Sequence, residues 1–274
     1  MYLNHWQLAA KPFEPSGDGP FYYPSESHQG ATLKLRYALE NHRGAALLAG
    51  PSGVGKTLLV QKLIDQLPGA KQPVVHVVYP QMPSRELLAY LASRLTSAAD
   101  APQVTPSIDQ SLLEIENHLS AACERDERPI VVIDEAHLLE DAGTLETVRL
   151  LLNLQREGKP LLTLLLVGQS SLLSTLSRTP RLEERIAITA IVDPLSVEET
   201  HSYLQHRLTA AGATQEIFTS AAIDTLHQLA HGVVRRINRL GDLALLVGYA
   251  SGTTTVDTPL VQSVASELAF ARAA

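Results

Sequence analysis

Short apolar runs, each bounded by glycine, proline or a charge, recur through the first two thirds of the chain. They are AALLAG (Ala45 to Gly50), PVVHVVY (Pro73 to Tyr79), PIVVID (Pro129 to Asp134), LLTLLLVG (Leu161 to Gly168) and AITAIVD (Ala187 to Asp193). These runs have strand length and are nearly continuous in hydrophobicity rather than alternating, the pattern of strands covered on both faces. Helical stretches lie between them, including SESHQGATLKLRYALENHRG, with Ser25 as a candidate N-cap and Gly44 as its stop. Strand runs alternating with helices predict an α/β fold with a parallel sheet of about five strands between helices.

From Pro194 the pattern changes. SVEETHSYLQHRLTAAG, TSAAIDTLHQLAHG, VRRINRLGDLALLVGYASG and TPLVQSVASELAFARAA carry apolar residues at helical spacing, and no further strand-like run follows. The expected division is therefore an α/β domain with an N-terminal leader over 1–194 and a small all-helical lid over 195–274. No internal repeat or low-complexity tract interrupts either part.

Composition narrows the function. A chain of 274 residues can bury one large core with an appendage but is short for two full nucleotide-binding domains. Its formal net charge of -7 gives no global attraction to nucleic acid or to an anionic membrane, although a local basic stripe is compatible with it. The start, MYLNHWQLAAKPFEP, lacks the charged and apolar regions of a secretory signal. The longest apolar run is far below the roughly 20 residues a spanning helix needs. The chain therefore reads as cytoplasmic. The single cysteine, Cys123, has no disulfide partner within the chain and reads as a small apolar residue.

The chemistry begins at GPSGVGKT, which matches G-x-x-x-x-G-K-[ST] between the strand AALLA and the helix LLVQKLIDQL. Gly50, Pro51, Ser52, Gly53, Val54 and Gly55 form a loop whose N–H groups can converge on phosphates. Lys56 neutralises β- and γ-phosphate charge, Thr57 offers a hydroxyl to Mg²⁺, and Leu58 continues the helix. A second element, IVVIDEAH, puts Asp134 at the C-terminal tip of a buried strand, where ligands of open α/β sheets bind. Asp134 and Thr57 are the candidate metal ligands. Glu135 is the candidate general base that polarises water. His137 opens a predicted helix, HLLEDAGTLETVRLLLNLQ, and reads as a cap or packing residue. The letters Asp-Glu-Ala-His also occur in RNA helicases, but those need a second strand-helix core, and none follows AITAIVD.

Together these residues resemble the AAA+ ATPases over nearly the whole chain, and within them the ExeA/GspA type (general secretion pathway protein A) and its pilus-biogenesis and transposition relatives. The leader YLNHWQLAAKPFEPSGDGPFYYPSESHQGATLKLRYALE carries that likeness most specifically, with LLLVGQSSLL and GVVRRINRLGDLALL resembling the sensor segments. The resemblance implies ATP and Mg²⁺ as cofactors and ATP hydrolysis as the reaction. It implies Gln169 as sensor 1 and Arg235 as sensor 2, with Arg236 and Arg239 as competitors. It also implies an arginine finger among Arg178, Arg181 and Arg185, of which Arg185, just before the fifth strand, is preferred. A finger acting in trans implies a homo-oligomer with head-to-tail contacts. An unidentified protein partner, such as an envelope or secretion component, is expected, and DNA is the alternative partner. The leader aromatics Trp6, Phe13, Phe21, Tyr22 and Tyr23, with His28, either wall an adenine pocket or staple the leader to the core. Two departures stand out. Secretion-type members continue into a membrane span and a peptidoglycan-binding module, whereas this sequence ends at Ala274, and the proline that usually precedes the sensor-2 arginine is Val234.

Overall fold

The computed structural model describes residues 1–14, 19–67, 73–96, 105–139 and 141–273. Its strands are β1 (Ala45–Ala49), β2 (Val74–Val77), β3 (Ile130–Ile133), β4 (Gln155–Arg156), β5 (Lys159–Pro160), β6 (Thr163–Gly168) and β7 (Ile186–Ile191). Its helices are α1 (Glu26–Glu40), α2 (Lys56–Asp65), α3 (Ser84–Thr96), α4 (Ile108–Glu124), α5 (Ala142–Leu151), α6 (Ser171–Ser177) and α7 (Pro180–Glu183), followed by α8 (Val197–Ala210), α9 (Ser220–Ala230), α10 (Val234–Ser251) and α11 (Thr258–Ala273). Two compact units result. Ser27–Gly50 and Lys56–Val192 make an α/β unit, while Met1–Glu26, Pro51–Gly55 and Asp193–Ala274 make a helical unit.

In the α/β unit five strands pair in the order β2-β3-β6-β1-β7, every pairing parallel. The three central strands are buried at every position, which is why their sequences do not alternate. Their register sets the functional edge. Ala49 of β1 pairs with Gly168 of β6, so the residues that follow, Gly50 and Gln169, leave the sheet side by side. On the other flank of β6, β3 ends at Ile133 and delivers Asp134, whose N–H donates to the Val77 carbonyl at 2.9 Å. The five apolar runs thus become the five strands of this sheet.

Two local features depart from the sequence reading. The helix expected to open at His137 instead forms a 3-10 turn over Ala136–Leu138, and α5 begins only at Ala142. Asp141 causes the break. Its carboxylate accepts the Thr144 N–H at 2.8 Å and the Thr144 hydroxyl at 3.0 Å, an N-cap that competes with a continuous helix. These bonds hold the Asp141 carboxyl below its ordinary pKa. The second feature is the β4–β5 hairpin, which turns through Glu157 and Gly158 at φ 53° and 76°.

The helical unit contains α8 to α11. Ser196 and Glu199 cap α8 reciprocally, each side chain accepting the other's backbone N–H. The leader, expected to belong with the α/β domain, packs in this unit instead. Trp6 and Phe13 enter a buried cluster with Leu204, Phe218, Ile237 and Leu245. The indole N–H of Trp6 donates to the Leu245 carbonyl at 2.9 Å. Arg207 of α8 fastens the rest. Although only 4% exposed, its guanidinium donates to the carbonyls of Pro12, Phe21 and Glu14 at 2.5, 3.0 and 2.6 Å and lies over the Phe21 ring.

Candidate active site

The α/β unit gathers most of the expected residues at the C-terminal edge of its sheet. Lys56 opens α2 with its ammonium buried, donating to the Gly50 carbonyl at 2.9 Å. The next residue, Thr57, donates its hydroxyl to Asp134 Oδ2 at 2.8 Å. The other oxygen of Asp134 accepts the Glu135 N–H at 2.8 Å, so the carboxylate is oriented on both sides. Thr57 and Asp134 therefore form a pair of hard oxygen donors between the start of α2 and the tip of β3. That donor set fits Mg²⁺, which takes one or two protein oxygens and completes its shell with phosphate and water. The cradle for phosphate fits as well. A Cβ at Gly50 would stand 2.3 Å from the Val192 carbonyl oxygen, so only glycine lets the strand end pass this close to the chain leaving β7.

Glu135 lies one residue beyond, half exposed, with φ 50° and ψ 34°. A left-handed backbone is uncommon for a residue with a side chain and is found where surrounding structure enforces it. Its carboxylate is 3.3 Å from Nδ1 of His137, and the backbone N–H of Gln169 donates to the same Nδ1 at 3.4 Å. His137 therefore packs beside the Glu135 carboxylate and the end of β6, and it is Asp141 that caps α5. Two histidines lie beside these residues that residue patterns alone did not place there. The second is His76 on β2, whose Nε2 is 3.8 Å from Asp134 Oδ2. The signal for His76 was present, since it is the one basic residue inside the otherwise apolar run PVVHVVY.

The arginines considered for a finger, Arg178, Arg181 and Arg185, are all exposed. Arg185 donates to Asn153 Oδ1 at 3.0 Å, and Arg178 donates to the Ser174 carbonyl of its own helix.

The helical unit holds the remainder of the loop, Pro51–Gly55, together with α10. Gly53 and Gly55 adopt φ 84° and 100°, the alternation that turns successive N–H groups toward one concavity. The Arg235 N–H donates to the Gly53 carbonyl at 3.0 Å, and a Cβ at Gly53 would lie 2.9 Å from the Arg235 Cβ. The first turn of α10 is therefore tied to the glycine loop through the backbone of Arg235. Arg236 and Arg239 are exposed on the same helix. The leader aromatics have structural partners here. Phe13 meets Phe218 edge-on, Tyr23 meets Tyr203, and Phe21 stacks on Arg207.

A parallel sheet whose first strand feeds a glycine loop, with a lysine and a threonine opening the next helix and a carboxylate from a neighbouring strand beside them, defines a P-loop nucleotide-binding protein. The AAA domain family model matches residues 39–176, and the chain belongs to that family. It is similar to General secretion pathway protein A of Aeromonas hydrophila, 35% identical over 92% of this chain and 46% of that protein. The chain thus spans about half the length of this relative. Its fold is that of the Aeropyrum pernix ORC2 protein (TM-score 0.66, 17% identity, 94% of this chain and 71% of that one) and of Drosophila ORC bound to DNA (TM-score 0.69, 18% identity, 96% and 66%). Among the described residues no helix is long and apolar enough to cross a membrane.

Proposed function

We propose that the protein is a Mg²⁺-dependent ATPase that couples its nucleotide state to self-assembly and to the remodelling or recruitment of a partner. The observation that carries this reading is the 2.8 Å pairing of Thr57 Oγ1 with Asp134 Oδ2, with Glu135 next in the chain. On this reading Lys56 exchanges the Gly50 carbonyl for β- and γ-phosphate oxygens, and the loop from Gly50 to Leu58 holds the phosphates. Mg²⁺, held by Thr57 and Asp134, supplies Lewis acidity and neutralises phosphate charge. Glu135 accepts the proton of the attacking water and Gln169, as sensor 1, orients that water. Arg235 serves as sensor 2. Its bond to Gly53 supports it over Arg236 and Arg239, which have no such link to the loop among the described contacts.

Arg185 is the proposed finger, acting on the nucleotide of an adjacent copy in a head-to-tail homo-oligomer. Its exposure beside β7 is compatible with that role. The similarity to General secretion pathway protein A supports a cytoplasmic ATPase whose partner belongs to envelope export or pilus assembly. The exposed Arg235, Arg236 and Arg239 on α10 support the alternative, an ATP-dependent DNA-associated regulator of the transposition type.

One assay tests both readings, namely steady-state ATP hydrolysis over a range of protein concentrations, with and without duplex DNA. A specific rate that rises with concentration and ignores DNA supports self-assembly with a protein partner. Strong stimulation by DNA favours the alternative. Lys56→Ala should lose nucleotide binding, whereas Glu135→Gln should bind ATP and turn over about 100-fold more slowly or worse. Undiminished turnover of Glu135→Gln removes the proposed base. Mixing Arg185→Ala with Lys56→Ala should restore part of the rate, since each variant supplies what the other lacks.

A further inference from the structure

The outward faces of α10 and α4 are chemical opposites. In α10, burial of Ile237, Leu240 and Leu245 turns Arg236, Arg239, Leu246 and Tyr249 outward, at steps that keep them on one side of the helix. Among the described contacts neither arginine has a hydrogen-bond or ion-pair partner, and the helix's only acid, Asp242, is engaged by the Tyr2 hydroxyl. In α4 a capping box of Ser107 and Gln110 fixes the start, Ile115 and Leu119 are buried, and Ile108, Leu113, Glu116 and Glu124 are left exposed. Its sequence, IDQSLLEIENHLSAACE, carries acids but no lysine or arginine. Glu116 has no partner among the described contacts, and Glu124 meets Arg156 at 3.3 Å in an exposed pair that holds it weakly.

The order of these groups matters as much as their sign. In α10 the arginines come first and the apolar pair follows, Leu246 and Tyr249 being 43% and 39% exposed. In α4 the apolar pair comes first, Ile108 and Leu113 being 46% and 59% exposed, and Glu116 and Glu124 follow. At a rise of about 1.5 Å per residue, the midpoints of the charged and apolar pairs lie about 15 Å apart in α10 and about 14 Å apart in α4. Laid antiparallel, the two faces match at both ends.

We infer that α10 of one copy docks antiparallel on α4 of the next. Different surfaces of identical chains meet, so the contact is head-to-tail and repeats from copy to copy. The apolar ends supply adhesion, while the charges set the direction and reject α10 against α10 or α4 against α4. DNA phosphates would also attract Arg236 and Arg239, but they leave Leu246 and Tyr249 without a match, whereas α4 supplies both halves. The inference rests on the reading of the protein as a self-assembling ATPase and names the surfaces that assemble.

The experiment is a charge swap on the full chain, read by sedimentation velocity with Mg²⁺ and a non-hydrolysable ATP analogue. The proteins are the wild type, Arg236→Glu/Arg239→Glu, Glu116→Arg/Glu124→Arg, the chain with all four changes, and an equimolar mixture of the two double variants. Each double variant alone should associate about 10-fold more weakly than the wild type or worse, because like charges then face each other. The mixture should regain association, since the α10 of each variant finds an opposite charge on the α4 of the other. The four-fold variant should regain it for the same reason within one kind of chain. A misfolded helix or a lost nucleotide contact gives no such rescue. Double variants that associate like the wild type, or a mixture and a four-fold variant that stay apart, overturn the docking while leaving self-assembly intact. A wild type that remains monomeric at every concentration overturns the self-assembly reading itself. An arginine variant that assembles normally but no longer binds duplex DNA makes the α10 face a nucleic-acid surface and overturns the docking as well. Should a double variant not fold, Leu113→Cys/Leu246→Cys decides the matter. Oxidation with copper phenanthroline should link its chains into a covalent ladder that neither single variant forms, and no ladder in protein that has associated overturns the inference.

Discussion

The buried core of the α/β unit is aliphatic throughout among the described residues, whereas that of the helical unit is assembled around Tyr2, Trp6, Phe13, Tyr203 and Phe218. Their buried charges differ in the same way. In the α/β unit Lys56 and Asp134 are almost fully buried yet sit at the end of the sheet, oriented by a carbonyl, a hydroxyl and an N–H. In the helical unit the guanidinium of Arg207 is committed to three leader carbonyls. A buried charge that spans three separate carbonyls of one segment fastens that segment, whereas buried charges gathered where strands end mark a candidate site.

Breaking the fastener tests the first half of that contrast. The largest stability effect is expected for Trp6→Ala, which removes a side chain 1% exposed, empties the space beside Gly248 and removes the indole donor to the Leu245 carbonyl. The expected cost is about 3–5 kcal/mol, the range for deleting a buried aromatic, read as a lowered midpoint in denaturant by circular dichroism. A loss below about 1 kcal/mol would mean the leader is not part of the helical core in solution.

Arg207→Met keeps much of the volume but leaves three carbonyls without their donor. Hydrogen bonds to a charged group contribute roughly 1.5–3 kcal/mol, and the total should fall in that range because the carbonyls can turn partly to water. Trp6 is the chain's only tryptophan, so its fluorescence reports on the helical unit alone. The fluorescence midpoint should therefore drop more than the midpoint followed by circular dichroism, which sees both units. Equal shifts would show that the two units unfold together and that the contrast has no energetic counterpart.

The same contrast explains how much was legible in sequence. AALLA, IVVID and LLTLLLVG announce buried parallel strands because every position is apolar, and GPSGVGKT announces a loop because glycine and lysine spacing is itself the chemistry. The leader was not legible in that way. Trp6 and Phe13 look alike whether they wall a ligand or fill a core, and only long-range packing against Leu245 and Phe218 decides. The position of His137 was hidden for a different reason. The helical spacing of HLLEDAGTLETVRLLLNLQ suggested a continuous helix, but the Asp141 cap and the left-handed Glu135 break it, and the break is what returns the imidazole to the carboxylate.

The smallest expected effect separates the units by pH rather than by mutation. His42 and His118 both belong to the α/β unit, and burial lowers the pKa of each below the ordinary value of 6.5, with Arg128 reinforcing the effect at His42 and Arg125 at His118. Asp126 and Glu127 act in the opposite direction without reversing it. The unfolded chain therefore binds these protons more readily than the folded one. The stability they contribute is fully present above the unfolded value and is lost as pH falls from there through the folded values. The thermal midpoint of the wild type should decline as pH is lowered below about 6.5. In His42→Gln/His118→Gln the decline should be shallower, because glutamine carries no proton to take up. Parallel slopes for the two proteins would place the acid sensitivity elsewhere, with the carboxylates of Asp141, Glu146 and Glu198, all held below their ordinary values by hydrogen bonds, as the groups to test next at lower pH.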